Sequence, residues 1–217
     1  MKVALVGGTG PGGFGVAARL ALAGHAIAIG SRSLERAEEA AAKVRAVAPD
    51  ANLSVGTNEE IIAGAEIVFL TVRDDAQRDT VRRLGDMFAG KVVISMANPL
   101  RVGNGTARYV APPEGSLAEE VQHDAPDAHV VSAMHEIDVR KLSKIDRVLD
   151  ADTLVCGDDD RAKKTAMKLL ADLGVRPVDA GPLANSRYIE SFIAVLITIN
   201  FRYKASTGLR ITGLPND

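Results

Sequence analysis

The feature that most limits how this chain can fold is its glycine-rich stretch, Gly7-Gly8-Thr9-Gly10-Pro11-Gly12-Gly13, placed directly behind the apolar run Lys2–Val6. Gly8, Gly10 and Gly13 stand in the G-x-G-x-x-G spacing. That spacing permits a tight strand-to-helix turn and lets backbone N–H groups at the start of the next helix approach a pyrophosphate. The spacing alone is a common turn; following a strand and opening a helix, it points to a dinucleotide. Ala26–Gly30 reads as the second strand and ends at Ser31-Arg32, with Arg36 one helical turn on. An acidic residue here would bind a ribose 2′-hydroxyl and repel a 2′-phosphate. A hydroxyl and two guanidinium groups suit the phosphate instead, so the sequence points to NADP(H) rather than NAD(H). A surface arginine pair flanking a helix start is the plainer alternative.

Short β-branched runs alternate with helical segments along the rest of the chain. Phe14–Ala23, Leu34–Val47 and Asp75–Phe88 read as helices; Ile67–Val72, Val92–Met96 and His129–Ala133 read as strands. This alternation predicts an α/β fold, a doubly wound parallel sheet with helices on both faces. Asn98–Gly115, with Pro99, Gly103, Gly105, Pro112, Pro113 and Gly115, predicts a long loop. After a soft boundary near residue 147, two short strands, Leu154–Cys156 and Pro177–Asp179, flank a helix over Arg161–Leu173. A last helix of about twenty residues is expected from near Asn185. The reading is a dinucleotide-binding domain over 1–147 and a small C-terminal α/β domain over 148–217.

Composition removes several function classes. A net charge of −2 over 217 residues leaves no electrostatic footprint for nucleic acid. No apolar run approaches the ~18 residues of a membrane span; Phe192–Phe201 is short and interrupted by Thr198 and Asn200. Met1 leads straight into a strand, so no cleavable signal pattern is expected. One cysteine, Cys156, allows no internal disulfide and fits a reducing cytoplasm. His25, His123, His129 and His135 show no metal-ligand spacing, so no metal is expected. Asp158-Asp159-Asp160 reads as a helix N-cap, and Cys156 as a buried strand thiol.

Further motifs carry a resemblance. Gly7-Gly8-Thr9-Gly10-Pro11, Gly30-Ser31-Arg32 and Asn98-Pro99-Leu100 are followed by Cys156-Gly157-Asp158-Asp159 and Asp179-Ala180-Gly181-Pro182-Leu183. Then come Asn185-Ser186-Arg187, Glu190-Ser191 and a tail with Arg202-Tyr203-Lys204 and Gly208-Leu209-Arg210. In this order the chain resembles the NADPH:coenzyme F-420 oxidoreductases, which pass a hydride between NADP(H) and a 5-deazaflavin. The resemblance implies a Rossmann domain and a small C-terminal domain closing a cleft for both coenzymes, in a homodimer. It implies that Gly8, Thr9, Gly10, Pro11 and Gly12 wrap the pyrophosphate and that Ser31, Arg32 and Arg36 hold the 2′-phosphate. Thr71 and Val72, at the end of the third strand read here, would lie along the dinucleotide. Asn98 is counted with the cofactor-binding residues, and His135, Arg187, Ser191 and Leu209 would line the deazaflavin pocket.

In such chemistry the coenzymes carry the reactive carbons and the protein supplies orientation, which fits the absence of a catalytic triad motif. The resemblance makes His135 the candidate catalytic donor, with Arg187 as a fixed positive group. The plainer readings are a satisfied core histidine and a first-turn arginine tied to the preceding loop. Two alternative functions share the NADP(H) half: reduction of another small acceptor (imine, carbonyl, flavin or ferric chelate) and non-catalytic NADP(H) sensing. Ile193 stands where some archaeal members have threonine. Met134-His135-Glu136-Ile137-Asp138 places carboxylates beside the histidine, and Arg73-Asp74-Asp75 replaces a Pro-Trp-type sequence.

Overall fold

A computed structural model describes residues 1–214. In chain order the elements are β1 (Lys2–Val6), α1 (Pro11–Leu22), β2 (Ala26–Ser31), α2 (Leu34–Val47), β3 (Leu53–Thr57) and α3 (Asn58–Ala63). They continue with β4 (Ile67–Leu70), α4 (Asp74–Leu84), β5 (Val92–Ser95), β6 (Leu100–Gly103), β7 (Thr106–Tyr109) and α5 (Leu117–Asp124). The last are β8 (His129–Ser132), α6 (Val139–Leu142), β9 (Asp152–Gly157), α7 (Asp160–Leu173), β10 (Arg176–Asp179) and α8 (Ser186–Tyr203).

Eight strands form one sheet in the order β10-β9-β8-β5-β4-β1-β2-β3, and only the β8–β9 pairing is antiparallel. The chain winds outward from β1 in both directions, so the crevice between β1 and β4 is the topological switch point, where open α/β sheets bind ligands. The central strands are apolar on both faces, as a sheet covered on both sides requires. Leu5, Ile29 and Ile94 pack under α1, α2 and α7; Val6, Leu70 and Val93 pack under α3, α4 and α5. The expected α/β doubly wound sheet is present. The boundary near residue 147 lies in the coil before β9, and β9 and β10 continue the same sheet rather than starting another.

Two expectations need correction. Leu53–Thr57 is a strand that the sequence reading passed over, so Thr71 and Val72 follow the fourth strand, not the third. Asn98–Gly115 is not a plain loop either: β6 and β7 form an antiparallel hairpin. Its turn is Asn104-Gly105, with φ of 51° and 71°. An Asn-Gly pair with both residues left-handed matches the right-handed twist of the flanking strands. β7 packs on α8, where Thr198 Oγ1 accepts from Ala107 N at 3.2 Å.

Small residues set how closely α1 approaches its neighbours. A Cβ at Gly13 would lie 2.4 Å from the Gly8 carbonyl oxygen, so only glycine lets this helix start against the turn. A Cβ at Gly15 would lie 2.6 Å from Leu142 Cγ and 2.9 Å from the Leu142 carbonyl oxygen. Arg19, also on α1, donates to the carbonyls of Leu142, Lys144 and Arg147 at 2.9, 2.7 and 2.8 Å. The segment after β8 is thereby clamped over α1. Gly15→Ala is expected to cost roughly 1–3 kcal/mol by overpacking, read as a lowered midpoint in chemical denaturation.

Candidate active site

The glycine turn opens α1 with unsatisfied donors. Gly10 provides no side-chain cap, Pro11 occupies the first turn, and that turn contains no acidic residue. An uncapped helix N-terminus with backbone N–H groups free is an anion site. A cavity of about 590 Å3 adjoins it, lined by Gly7, Thr9 and Gly10 from the turn and by Ser31, Arg32 and Arg36 from the end of β2 and the start of α2. Thr71 and Val72 close its other side. Gly8, Pro11 and Gly12 lie in the same turn without lining this cavity.

Ser31 is buried and its Oγ accepts from Ser33 N at 3.2 Å; Ser33 in turn caps α2 by accepting from Arg36 N. This chain of short bonds fixes the backbone that presents Arg32 and Arg36. Both guanidinium groups are exposed, and neither has an ion-pair partner among the described residues. Unpaired cations beside an uncapped helix start, with no carboxylate at position 31, fit a 2′-phosphate. Asn58 was missed by the sequence reading. It is buried, lines the cavity, and its Oδ1 accepts from Gly7 N at 3.2 Å, holding the glycine turn. Thr57, which caps α3 just ahead of it, was the available signal.

A second cavity of about 640 Å3 lies beyond the C-terminal ends of β5 and β8. Asn98 and His135 line it on one side and Ile193, Leu196, Ile197 and Phe201 of α8 on the other. Val139, also in its wall, lies 3.8 Å from where a Gly12 Cβ would be, so the cavity borders the glycine turn. The wall formed by Ile193, Leu196 and Ile197 is apolar and suits one face of a planar ring, while Asn98, His135, Asp138, Arg140 and Asn200 make much of the remaining lining polar.

Both ring nitrogens of His135, expected to donate a hydrogen bond or a proton, are engaged within the protein. The imidazole is buried, with Nδ1 3.0 Å from Asn98 Oδ1 and Nε2 2.8 Å from Ser132 Oγ. Asn98 also donates from Nδ2 to the His135 carbonyl at 3.4 Å. The pattern assigns the proton to Nδ1, with Nε2 accepting from the serine. Burial pushes the imidazole down to about 4, so it is neutral near pH 7. A pH–rate profile is therefore expected to show no step from His135 near 6.5; a step there that disappears in His135→Asn would contradict this assignment.

The neighbouring carboxylates are occupied too. Glu136 turns to β9, accepting from Leu154 N and Thr153 Oγ1 at 3.3 Å, and burial raises it to about 7. For Asp138, burial acts upward, but hydrogen bonds from Arg140 and Ser206 prevail and bring it down to about 2.

Three residues expected in the deazaflavin pocket do not line this cavity. Arg187 is paired with Glu119 in the first turn of α5 and lies over Gly115. Ser191 Oγ donates back to the Tyr188 carbonyl at 2.9 Å. Leu209 uses its backbone, its carbonyl accepting from Asp152 N at 2.8 Å. Arg187 and Leu209 are held by tertiary contacts that residue spacing does not disclose, whereas the Ser191 bond lies within α8.

Among the described residues no helix is long and apolar enough to cross a membrane. The family model described as "NADP oxidoreductase coenzyme F420-dependent" matches residues 2–99. The chain is 38% identical over 222 residues to the "F420-dependent NADP reductase" of Methanocaldococcus jannaschii, covering 99% of each chain. It is 37% identical over 223 residues to that of Methanothermobacter thermautotrophicus, covering 99% of this chain and 96% of that one. A putative F420-dependent NADP reductase from Arthrobacter sp. FB24 superposes with a TM-score of 0.83 at 26% identity, covering 98% of this chain and 100% of the other. With the uncapped helix start and the unpaired arginines already in place, these full-length likenesses show that the chain belongs to the coenzyme F420-dependent NADP oxidoreductase family.

Proposed function

We propose that this protein is an NADPH-dependent coenzyme F-420 reductase, an oxidoreductase that transfers a hydride between NADP(H) and the 5-deazaflavin coenzyme F-420. The observation that carries the reading is a pair of cavities on either side of the glycine turn: one basic and next to an uncapped helix start, the other walled by Ile193, Leu196 and Ile197, with Val139 of its lining 3.8 Å from where a Gly12 Cβ would be. Bound together, the coenzymes supply a hydride donor at nicotinamide C4 and an acceptor at deazaflavin C5. The chain's own task is placement, and holding two reactants at near-attack distance is worth ~7–11 kcal/mol of barrier.

Gly8, Thr9, Gly10, Pro11 and Gly12 present the start of α1 to the pyrophosphate, and Ser31, Arg32 and Arg36 take the 2′-phosphate. Thr71 and Val72 lie along the dinucleotide, with the Thr71 hydroxyl donating to Val6 O at 2.9 Å. Asn98 and neutral His135 form a rigid polar wall of the deazaflavin pocket. Arg187 and Leu209 act from outside that cavity by fixing α8 and the tail that close it; Ser191 lies on the same helix, its hydroxyl bonded within it.

We also infer a homodimer in the cytoplasm. Tyr188, Phe192, Val195 and Phe201 are exposed on α8, as are Val102 and Val110 beside the hairpin, an apolar surface suited to a second copy. Cys156 is a buried free thiol, which suits a reducing compartment.

Mixing the protein with NADPH and oxidised coenzyme F-420 is expected to bleach the deazaflavin's visible absorbance. NADPH loss with a different acceptor and no bleaching would favour reduction of that acceptor. Binding without turnover on any acceptor would favour a sensor.

A further inference from the structure

Among the described residues three that are not glycine have positive φ: Asn104, Met134 and Lys204. Asn104 turns the β6–β7 hairpin and Lys204 ends α8, both exposed places where left-handed backbone is common. Met134 is different. It is buried, its φ is 68°, and its Cβ crowds the backbone in that conformation. Such a residue persists only where its surroundings over-determine it, and the residue that follows is His135.

β8 runs antiparallel to β9, with Val131 opposite Gly157 and Ser132 opposite Cys156. Continued in this register, the ladder would set Met134 opposite Leu154. The chain turns away instead, and side chains take the two donors of that pair. Met134 N donates to Thr153 Oγ1 at 2.7 Å, and Leu154 N donates to Glu136 Oε1 at 3.3 Å. The Thr153 hydroxyl donates in turn to Glu136 Oε2 at 3.3 Å, so one buried oxygen is acceptor and donor at once. Ile137 N closes the turn on the Met134 carbonyl at 3.3 Å. Thr153 is completely buried and lines neither cavity. It reaches the site through the backbone: the turn at Met134 delivers His135 to the cavity wall, where the ring meets Ser132 and Asn98.

We propose that Thr153 is a positioning residue for the hydride transfer: its hydroxyl holds Met134 in the left-handed turn, and the turn fixes His135 as an immobile wall beside the reacting rings. The kinetic effect rests on the deazaflavin reading; the turn itself does not. Loss of the hydroxyl leaves Met134 N in the interior without its acceptor, so the turn relaxes and the imidazole gains freedom. The loss falls on the alignment of the two coenzymes, while the dinucleotide site at the start of α1 is untouched.

Thr153→Val keeps the branched shape and removes the hydroxyl; Thr153→Ser keeps the hydroxyl. With both coenzymes saturating, single-turnover hydride transfer is expected to fall roughly tenfold in Thr153→Val, because small misplacements of reactants are costly, with the dissociation constant for NADPH unchanged. Thr153→Ser should recover most of the rate. NMR of histidine-labelled protein gives a readout that a merely structural role does not move. The His135 ring signals should shift and broaden in Thr153→Val and return in Thr153→Ser, while those of His25, His123 and His129 stay in place. A wild-type rate in Thr153→Val, or a loss that Thr153→Ser does not restore, overturns the assignment. So does a loss that follows the melting temperature with the His135 signals unchanged. The wild-type protein supplies a check that needs no variant: the Met134 amide should resist hydrogen exchange as well as the amides of β8 do. Rapid exchange there overturns the assignment even if Thr153→Val fails to fold. The ring signals and the exchange are read without coenzymes, so a protein that shows both but never reduces the deazaflavin overturns the proposed function and leaves the Thr153 turn standing.

Discussion

Replacing Arg32 and Arg36 together by alanine is expected to raise the KM for NADPH roughly a hundredfold while moving the KM for NADH little. Each guanidinium can give a charge-assisted hydrogen bond to the 2′-phosphate worth about 1.5–3 kcal/mol; for exposed side chains the lower end applies, and two losses of about 1.5 kcal/mol give that factor. The side chains are free to serve the phosphate because no ion pair among the described residues holds them. Their backbone is set independently by Ser31 and Ser33, so the double variant should fold normally. Steady-state kinetics with both dinucleotides measures the effect. Equal loss with NADH would mean that the arginines hold the shared adenosine diphosphate part instead.

Glu190→Ala is expected to destabilise the protein by about 3 kcal/mol, because two buried N–H groups lose their acceptor and a cavity is left. Glu190 sits on α8, completely buried, yet it caps a different helix. Its carboxylate accepts from Leu117 N at 2.8 Å and Ala118 N at 3.1 Å, the first two residues of α5. Ser116 and Ser186 join the same two helices at 2.7 Å. Burial raises Glu190 to about 8; the Leu117 and Ala118 N–H groups act downward, and Glu119 and Glu120 add to the rise. A carboxyl raised on folding binds its proton more tightly in the native state than in the unfolded chain. Stability is then greatest below the ordinary value near 4.5 and falls as pH rises towards 8. Glu136, raised to about 7, acts in the same direction. The melting temperature should therefore fall between pH 5 and pH 8, more shallowly in Glu190→Gln. A wild-type melting temperature that rises over this interval would contradict the assignment.

What the sequence disclosed follows a physical division. The glycine turn, Ser31, Arg32 and Arg36 were legible because their chemistry is local: a few consecutive residues set the turn, the helix start and the charge. The helix at Leu34–Val47 was read with its observed bounds because Ser33 caps it and its alanines repeat in helical period. The strand at Leu53–Thr57 was passed over, and with it Asn58, whose bond to Gly7 spans 51 residues. In the hairpin, the prolines on either side outweighed the Asn104-Gly105 signal that was present. His135 was placed at the pocket, but its charge state depends on Ser132, Asn98 and burial, none of which its own neighbours in sequence encode. Arg187 and Glu190 depend on α5, about seventy residues earlier, and no motif reports that pairing.

Direct passage of hydride from one coenzyme to the other is the central claim, and isotope transfer tests it most directly. The protein is mixed with NADPH deuterated at the transferred C4 position and oxidised coenzyme F-420 in ordinary water, and the reduced deazaflavin is analysed by mass spectrometry and NMR. Deuterium at deazaflavin C5, in one configuration, is the predicted result. Reduced deazaflavin without the label, or NADPH oxidised while the deazaflavin stays unreduced, would contradict it.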